Sequence, residues 1–87
     1  MNKLQIHVEI NKSHTLVVPI GDINLTKSSE LRVVFQNILL DAPSKIVVDL
    51  ESVSYMDSSG VATLIEALQL SKRAENDFAL CCFIPGF

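Results

Sequence analysis

The residues of this chain best suited to chemistry lie in one short run, Asp57-Ser58-Ser59-Gly60, and a second acid-bearing turn, Gly21-Asp22-Ile23-Asn24, stands well upstream of it. A serine in the first turn of a helix sits beside unpaired backbone N–H groups and the positive end of the macrodipole, so an anionic group such as phosphate is tolerated there. Phosphate on Ser58 would bring about 1.5 to 2 negative charges at neutral pH. They would lie beside Asp57, and beside Asp22 if both turns share one end of a sheet. The helix end offers only about 0.3 to 1 kcal/mol in return. The fold would survive such a charge, whereas a partner surface matched to a neutral serine would not ignore it. A plainer reading uses the same residues as a helix cap, since Asp and Ser are ordinary N-cap residues and Gly60 permits close packing.

Other chemistries find less support. A serine nucleophile elbow wants glycine two residues before and two after the serine, and Met56 or Asp57 stands in the earlier place. His7 falls on the wet side of a strand and His14 in a turn, so neither is placed as a base. The glycines are too far apart for a phosphate-cradling loop. Cys81 and Cys82 are adjacent, and adjacent strand side chains point to opposite faces, which disfavours a shared metal or an easy mutual disulfide. No catalysis, no metal and no cofactor are expected. The triplets beginning at Asn11 and Asn24 match a glycosylation acceptor by chance alone in a chain that is not secreted.

The elements that would position the serine run can be read from periodicity. Leu4, Ile6, Val8 and Ile10 alternate with Gln5, His7 and Glu9, the period of a strand with one buried face. After a polar turn at 11–14, the β-branched run 15–20 ends at Gly21 and pairs with the first strand as a hairpin. Pro19, lacking an N–H, implies a bulge or an edge there. Leu31, Val34, Phe35 and Ile38 fall at helical spacing within about 27–40, with hydroxyls at 26–29 as N-cap candidates and Pro43 as the stop. The apolar run 45–50 reads as a central strand covered on both sides. A short segment, 51–56, leads to a second helix beginning at the serines, with Val61, Leu64, Ile65 and Leu68 on its buried face and Thr63, Glu66, Gln69 and Lys72 opposite. The stretch 78–84 is the last strand. The result is an α/β fold of order β-β-α-β-α-β, a mixed sheet with helices packed on it. If the second and third strands run parallel, both candidate turns lie at the end of the sheet where open α/β folds bind ligands.

Eighty-seven residues, 48% of them apolar, suffice for a single domain spanning 1–87 with one core. The formal charge of −3 without any Lys/Arg cluster argues against nucleic acid as a partner. Polar residues interrupt 1–10, so no signal peptide is read there, and the longest apolar run, 78–85, is far short of the roughly 20 residues of a membrane span. A cytoplasmic location without membrane contact is the expectation.

The run Val47-Val48-Asp49-Leu50, then Val53, then Met56-Asp57-Ser58-Ser59-Gly60-Val61, resembles the STAS domains of anti-sigma factor antagonists. Their pattern is a buried strand, an acidic residue, a phosphorylatable serine, a second hydroxyl residue and a glycine opening a helix. Gly21-Asp22-Ile23 resembles the same family's glycine-acid turn, and the resemblance covers residues 4 to about 83. It implies a partner-switching cycle. The unphosphorylated protein binds an anti-sigma factor that is also a serine kinase, the kinase phosphorylates Ser58, and a separate phosphatase restores it. Asp22, Asp57, Ser58, Ser59 and Gly60 would form the docking face.

The family normally continues past its last strand with another helix, and the resemblance leads to the expectation of a domain without it. An apolar ending, 83–87, leads to the expectation of a homodimer through the exposed C-terminal region, or of lower stability than the family's. An alternative keeps the fold and changes the role, to that of a non-switching STAS subunit of a lipid-transport ABC system or of a stress-signalling scaffold. The intact serine run favours the phosphorylated class.

Overall fold

The computed structural model of the protein describes residues 5–41 and 43–81. In chain order the elements are β1 (Gln5–Ile10), β2 (Thr15–Ile23), α1 (Leu25–Leu40), β3 (Lys45–Asp49), β4 (Val53–Met56), α2 (Ser58–Arg73) and β5 (Asp77–Cys81). The α/β class and the mixed sheet agree with the periodicities. One short strand, β4, is added in the segment 51–56, where the sequence shows no element. It pairs with β2 in parallel, Gly21 opposite Val53 and Asp22 opposite Tyr55, so Ser54 is the extra residue of a bulge. The bulge breaks the alternation that would have announced a strand.

β1 and β2 form an antiparallel hairpin, closed by the Asn11 N–H donating to the His14 carbonyl at 2.8 Å. β2 then pairs in parallel with β3 over Thr15 to Val17, and with β4 from Gly21 to Ile23. Pro19 falls between these two pairings. The Gly21 N–H donates to Ser52 on the β4 side, and strand alternation turns the Pro19 nitrogen the same way, where its missing N–H costs no ladder bond. β5 adds in parallel beyond β3, giving the order β1-β2-β3-β5.

Both crossovers, β2-α1-β3 and β4-α2-β5, step across the sheet in one direction, and right-handed connections of that kind put both helices on one face. Burial agrees. Val17, Ile46 and Val48 are wholly buried, while their alternating neighbours Leu16, Val18 and Val47 are only half-buried. The run at β3 was expected to be covered on both sides; one side is open. The core beneath the helices joins Val17, Ile23, Ile46, Val48 and Leu50 to Leu31, Phe35 and Ile38 of α1 and to Leu64 and Ala67 of α2. Each such large side chain contributes about 1.5 to 3 kcal/mol.

The helices depart from expectation in detail. α1 begins at Leu25, its N-cap being Asn24, whose Oδ1 accepts from the Lys27 N–H at 3.0 Å, so the cap lies upstream of the hydroxyls at 26–29. On α2 the buried residues are Gly60, Thr63, Leu64, Ala67 and Ser71. Thr63, expected on the wet face, is 1% exposed, and Ile65, expected inside, is 50% exposed. Small side chains let the helix lie close to its neighbours, and the Thr63 hydroxyl is satisfied by donating to the Ser59 carbonyl at 2.9 Å. α2 ends in a Schellman turn, Glu75 N–H to Lys72 and Asn76 N–H to Ser71, with Glu75 at φ 60° where glycine is usual. Ile10, at the end of β1, is exposed and borders a hollow of about 260 Å³ beside Ile38, where α1 runs out.

The end of the expected last strand beyond Cys81, the second cysteine and the apolar terminus at 83–87 lie outside the described residues, as does Leu4. Among the described residues no helix is long and apolar enough to cross a membrane.

Candidate functional site

β2 and β4 run parallel and finish together, at Ile23 and Met56, so the starts of both helices meet at one end of the sheet. The junction is knitted by the backbone: the Asp57 N–H donates to the Ile23 carbonyl at 3.1 Å. Gly21 and Asp22, read from the sequence as a loop, are instead the last turn of β2, kept in strand conformation by pairing with β4. Gly21 has φ 106°, a region closed to ordinary L side chains, and the register shifts immediately after it. Asp22 alternates with buried Ile23 and lies opposite exposed Tyr55, so it faces the open side of the sheet rather than the helices.

Asp57 is the N-cap of α2. Its Oδ1 accepts from the Ser59 N–H at 3.0 Å, the Gly60 N–H at 3.2 Å and the Ser59 hydroxyl. The Ser59 hydroxyl, with the backbone N–H groups of Gly60, Ser59 and Leu25, holds the Asp57 carboxyl below its ordinary pKa, and partial burial only in part opposes this. The Leu25 N–H, the smallest of these causes, belongs to the first residue of α1, whose own cap is Asn24.

The two serines are thereby separated. Ser59 is half-buried with its hydroxyl committed to Asp57, whereas Ser58 is exposed and its hydroxyl has no hydrogen-bond partner among the described residues. Gly60 is buried against the sheet end. A Cβ on it would lie 2.5 Å from Met56 Cγ and 2.9 Å from Ile23 Cγ2, so its absence lets α2 start where it does. Ser58 is thus presented on a rigid shelf, free at the surface.

Groups of other chemistries are elsewhere. His7 Nε2 pairs with Glu9 Oε2 at 3.1 Å on the edge strand, and His14 sits in the hairpin turn at the other end of β2. Among the described residues no group of His, Cys, Asp or Glu could hold a metal ion. Sequence reasoning placed Asn24 in the turn after the second strand but missed its capping role, whose signal was an Asx residue just before an apolar period. It also missed Leu25 and Tyr55, large apolar side chains 73% and 57% exposed at this same end, which no pattern marked.

The family model of the STAS domain matches residues 5–85. The chain belongs to the STAS domain family. Solved structures carry the same fold. An anti-sigma factor antagonist from Mycobacterium paratuberculosis superposes on this STAS chain with a TM-score of 0.81 at 24% identity, over 90% of this chain and 66% of that one. SpoIIAA in its unphosphorylated form gives 0.78 at 19% identity, over 95% of this chain and 76% of that one. The Bacillus cell fate determinant SpoIIAA in the phosphorylated form gives the same score and identity, over 95% and 75%. This STAS chain therefore spans just under two thirds of the mycobacterial protein's length.

Proposed function

We propose that this STAS chain is a regulatory binding module of the anti-sigma factor antagonist type, with Ser58 as its phosphorylation switch and no catalytic activity of its own. Unphosphorylated, it docks an anti-sigma factor that is also a serine kinase; phosphorylated on Ser58, it releases that partner, and a phosphatase resets it. The cycle runs in the cytoplasm, and the docking face comprises Asp22, Asp57, Ser58, Ser59 and Gly60. The observation that carries the reading is the contrast between the serines, Ser58 exposed and unengaged and Ser59 tied to Asp57. A kinase needs a hydroxyl free to approach its γ-phosphate, and a phosphate added there changes the charge of a contact surface without breaking any side-chain bond. Fold-level likeness to antagonists, including a phosphorylated form, supports the assignment.

The test is a pull-down from lysate of the source organism with wild-type, Ser58→Ala and Ser58→Asp baits, the retained proteins being identified by mass spectrometry. Wild type and alanine are expected to retain an anti-sigma factor kinase that aspartate loses. Equal retention of a transporter subunit by all baits would overturn the switch and make the domain a scaffold.

A further inference from the structure

Among the described residues nothing packs on the face of the sheet opposite the helices, and its composition is not that of an ordinary wet face. Register alignment sets Glu9, Leu16, Val47 and Ala79 in one row across β1, β2, β3 and β5. Val18, opposite His7, and Ile20, opposite Gln5, extend the apolar strip along β2 toward Tyr55. Leu16, Val18, Val47 and Ala79 are half-buried, and Ile20 and Tyr55 are exposed.

Charge on this face is one-sided. Glu9, Asp22, Asp49 and Asp77 stand around the strip, and Lys45, opposite Asp77, is the lone lysine or arginine that the β-strands contribute among the described residues. Glu9 contacts His7, and Asp49 Oδ1 accepts from the Glu51 N–H at 2.9 Å. The remaining described cations lie on the helices, as Lys27, Arg32, Lys72 and Arg73, or in the hairpin turn, as Lys12. Neighbouring strands lie about 4.8 Å apart, so the row from β1 to β5 is about 14 Å wide, enough for a helix about 10 Å across.

We propose that this open face docks a cationic amphipathic helix of a protein partner, its apolar side on Leu16, Val18, Val47 and Ala79 and its Lys or Arg side chains on the surrounding carboxylates. Charge complementarity selects this occupant. A second copy laid on the same face would bring Glu9, Asp49 and Asp77 against their like, and an anionic lipid surface is repelled by the same groups. The strip lies on the open side of the sheet away from Ser58, shares only Asp22 with the proposed docking face, and does not rest on the switch reading.

The probe is a helix-forming leucine/lysine peptide with leucine along one side, compared with a leucine/glutamate peptide of the same pattern, each titrated into the ¹⁵N-labelled chain. The lysine peptide is expected to shift the amides of Leu16, Val18, Val47 and Ala79, with affinity falling at least tenfold between low and high salt. The double substitution Glu9→Lys/Asp77→Lys, at exposed rim positions, should weaken it at least tenfold with the thermal midpoint preserved. The salt series on wild type needs no variant to fold. The proposal is overturned if the face does not respond, if the glutamate peptide binds as well, or if shifts centre on 57–60. Concentration-dependent broadening of the face without peptide would also overturn it, by naming a second copy as the occupant.

Discussion

At the residue scale the site turns on one carboxylate. Asp57 spends its Oδ1 on the Ser59 hydroxyl and on two amides of α2, and those bonds favour its charged form. A carboxyl whose folded pKa is depressed adds stability that is present above the unfolded value and is lost as pH falls through the folded one. Removing the Ser59 hydroxyl removes the largest cause. In Ser59→Ala the Asp57 titration, followed by carboxyl ¹³C NMR, should move up toward the ordinary carboxylate range, and acid unfolding should begin at a higher pH than in wild type. Ser58→Ala should leave the Asp57 titration where it is, because Ser58 makes no side-chain bond to it. An Asp57 midpoint indifferent to Ser59→Ala would remove the hydroxyl from the account and, with it, the commitment of Ser59 to Asp57.

At the scale of elements, the question is how closely α2 can approach the sheet. Alanine is favoured over glycine within a helix by about 1 kcal/mol, but at position 60 its Cβ would press on Met56 Cγ and on Ile23, which is wholly buried. Overpacking of that kind costs about 1 to 3 kcal/mol, so Gly60→Ala should destabilise by up to about 2 kcal/mol in urea unfolding and shift the amides of Ser58 and Ser59 as the helix start moves outward. A neutral or stabilising result would show that Met56 yields and that the glycine is not what seats the helix. The same closeness explains what periodicity did and did not disclose. The stripe of α1, Leu31 with Phe35 and Ile38, was legible because large apolar residues face the sheet. The stripe of α2 was misplaced toward Ile65 because Gly60, Thr63 and Ser71, with Ala67, carry little hydrophobic signal yet fit the gap. β4 was illegible because Ser54 bulges, and the extension of β2 through Asp22 depends on that same hidden partner. At the site, the run from Asp57 to Gly60 was visible as a helix start. Which serine is free was not, since that depends on where one carboxylate points.

For the whole molecule, the sheet separates two surfaces, the helix starts at one end and the acidic apolar face on the open side, and a charge added at the first need not disturb the fold that carries both. The N–H groups of Ser59 and Gly60 are already taken by Asp57, so a negative group on residue 58 finds them occupied and must stay at the surface. Its attraction to the positive end of α2, about 0.3 to 1 kcal/mol, is then offset by repulsion from Asp57 beside it. Neither effect reaches the core, because Ser58 is exposed and buries nothing. Ser58→Asp should therefore change stability by less than about 1 kcal/mol, which for a domain of this size keeps the thermal midpoint within about 8 °C of wild type. Amide shifts should stay confined to the starts of α1 and α2. A large loss of stability, or shifts spread through β3 and β5, would mean that charge at Ser58 acts by loosening the domain, and loss of a partner in the aspartate variant would then report unfolding rather than a rejected surface.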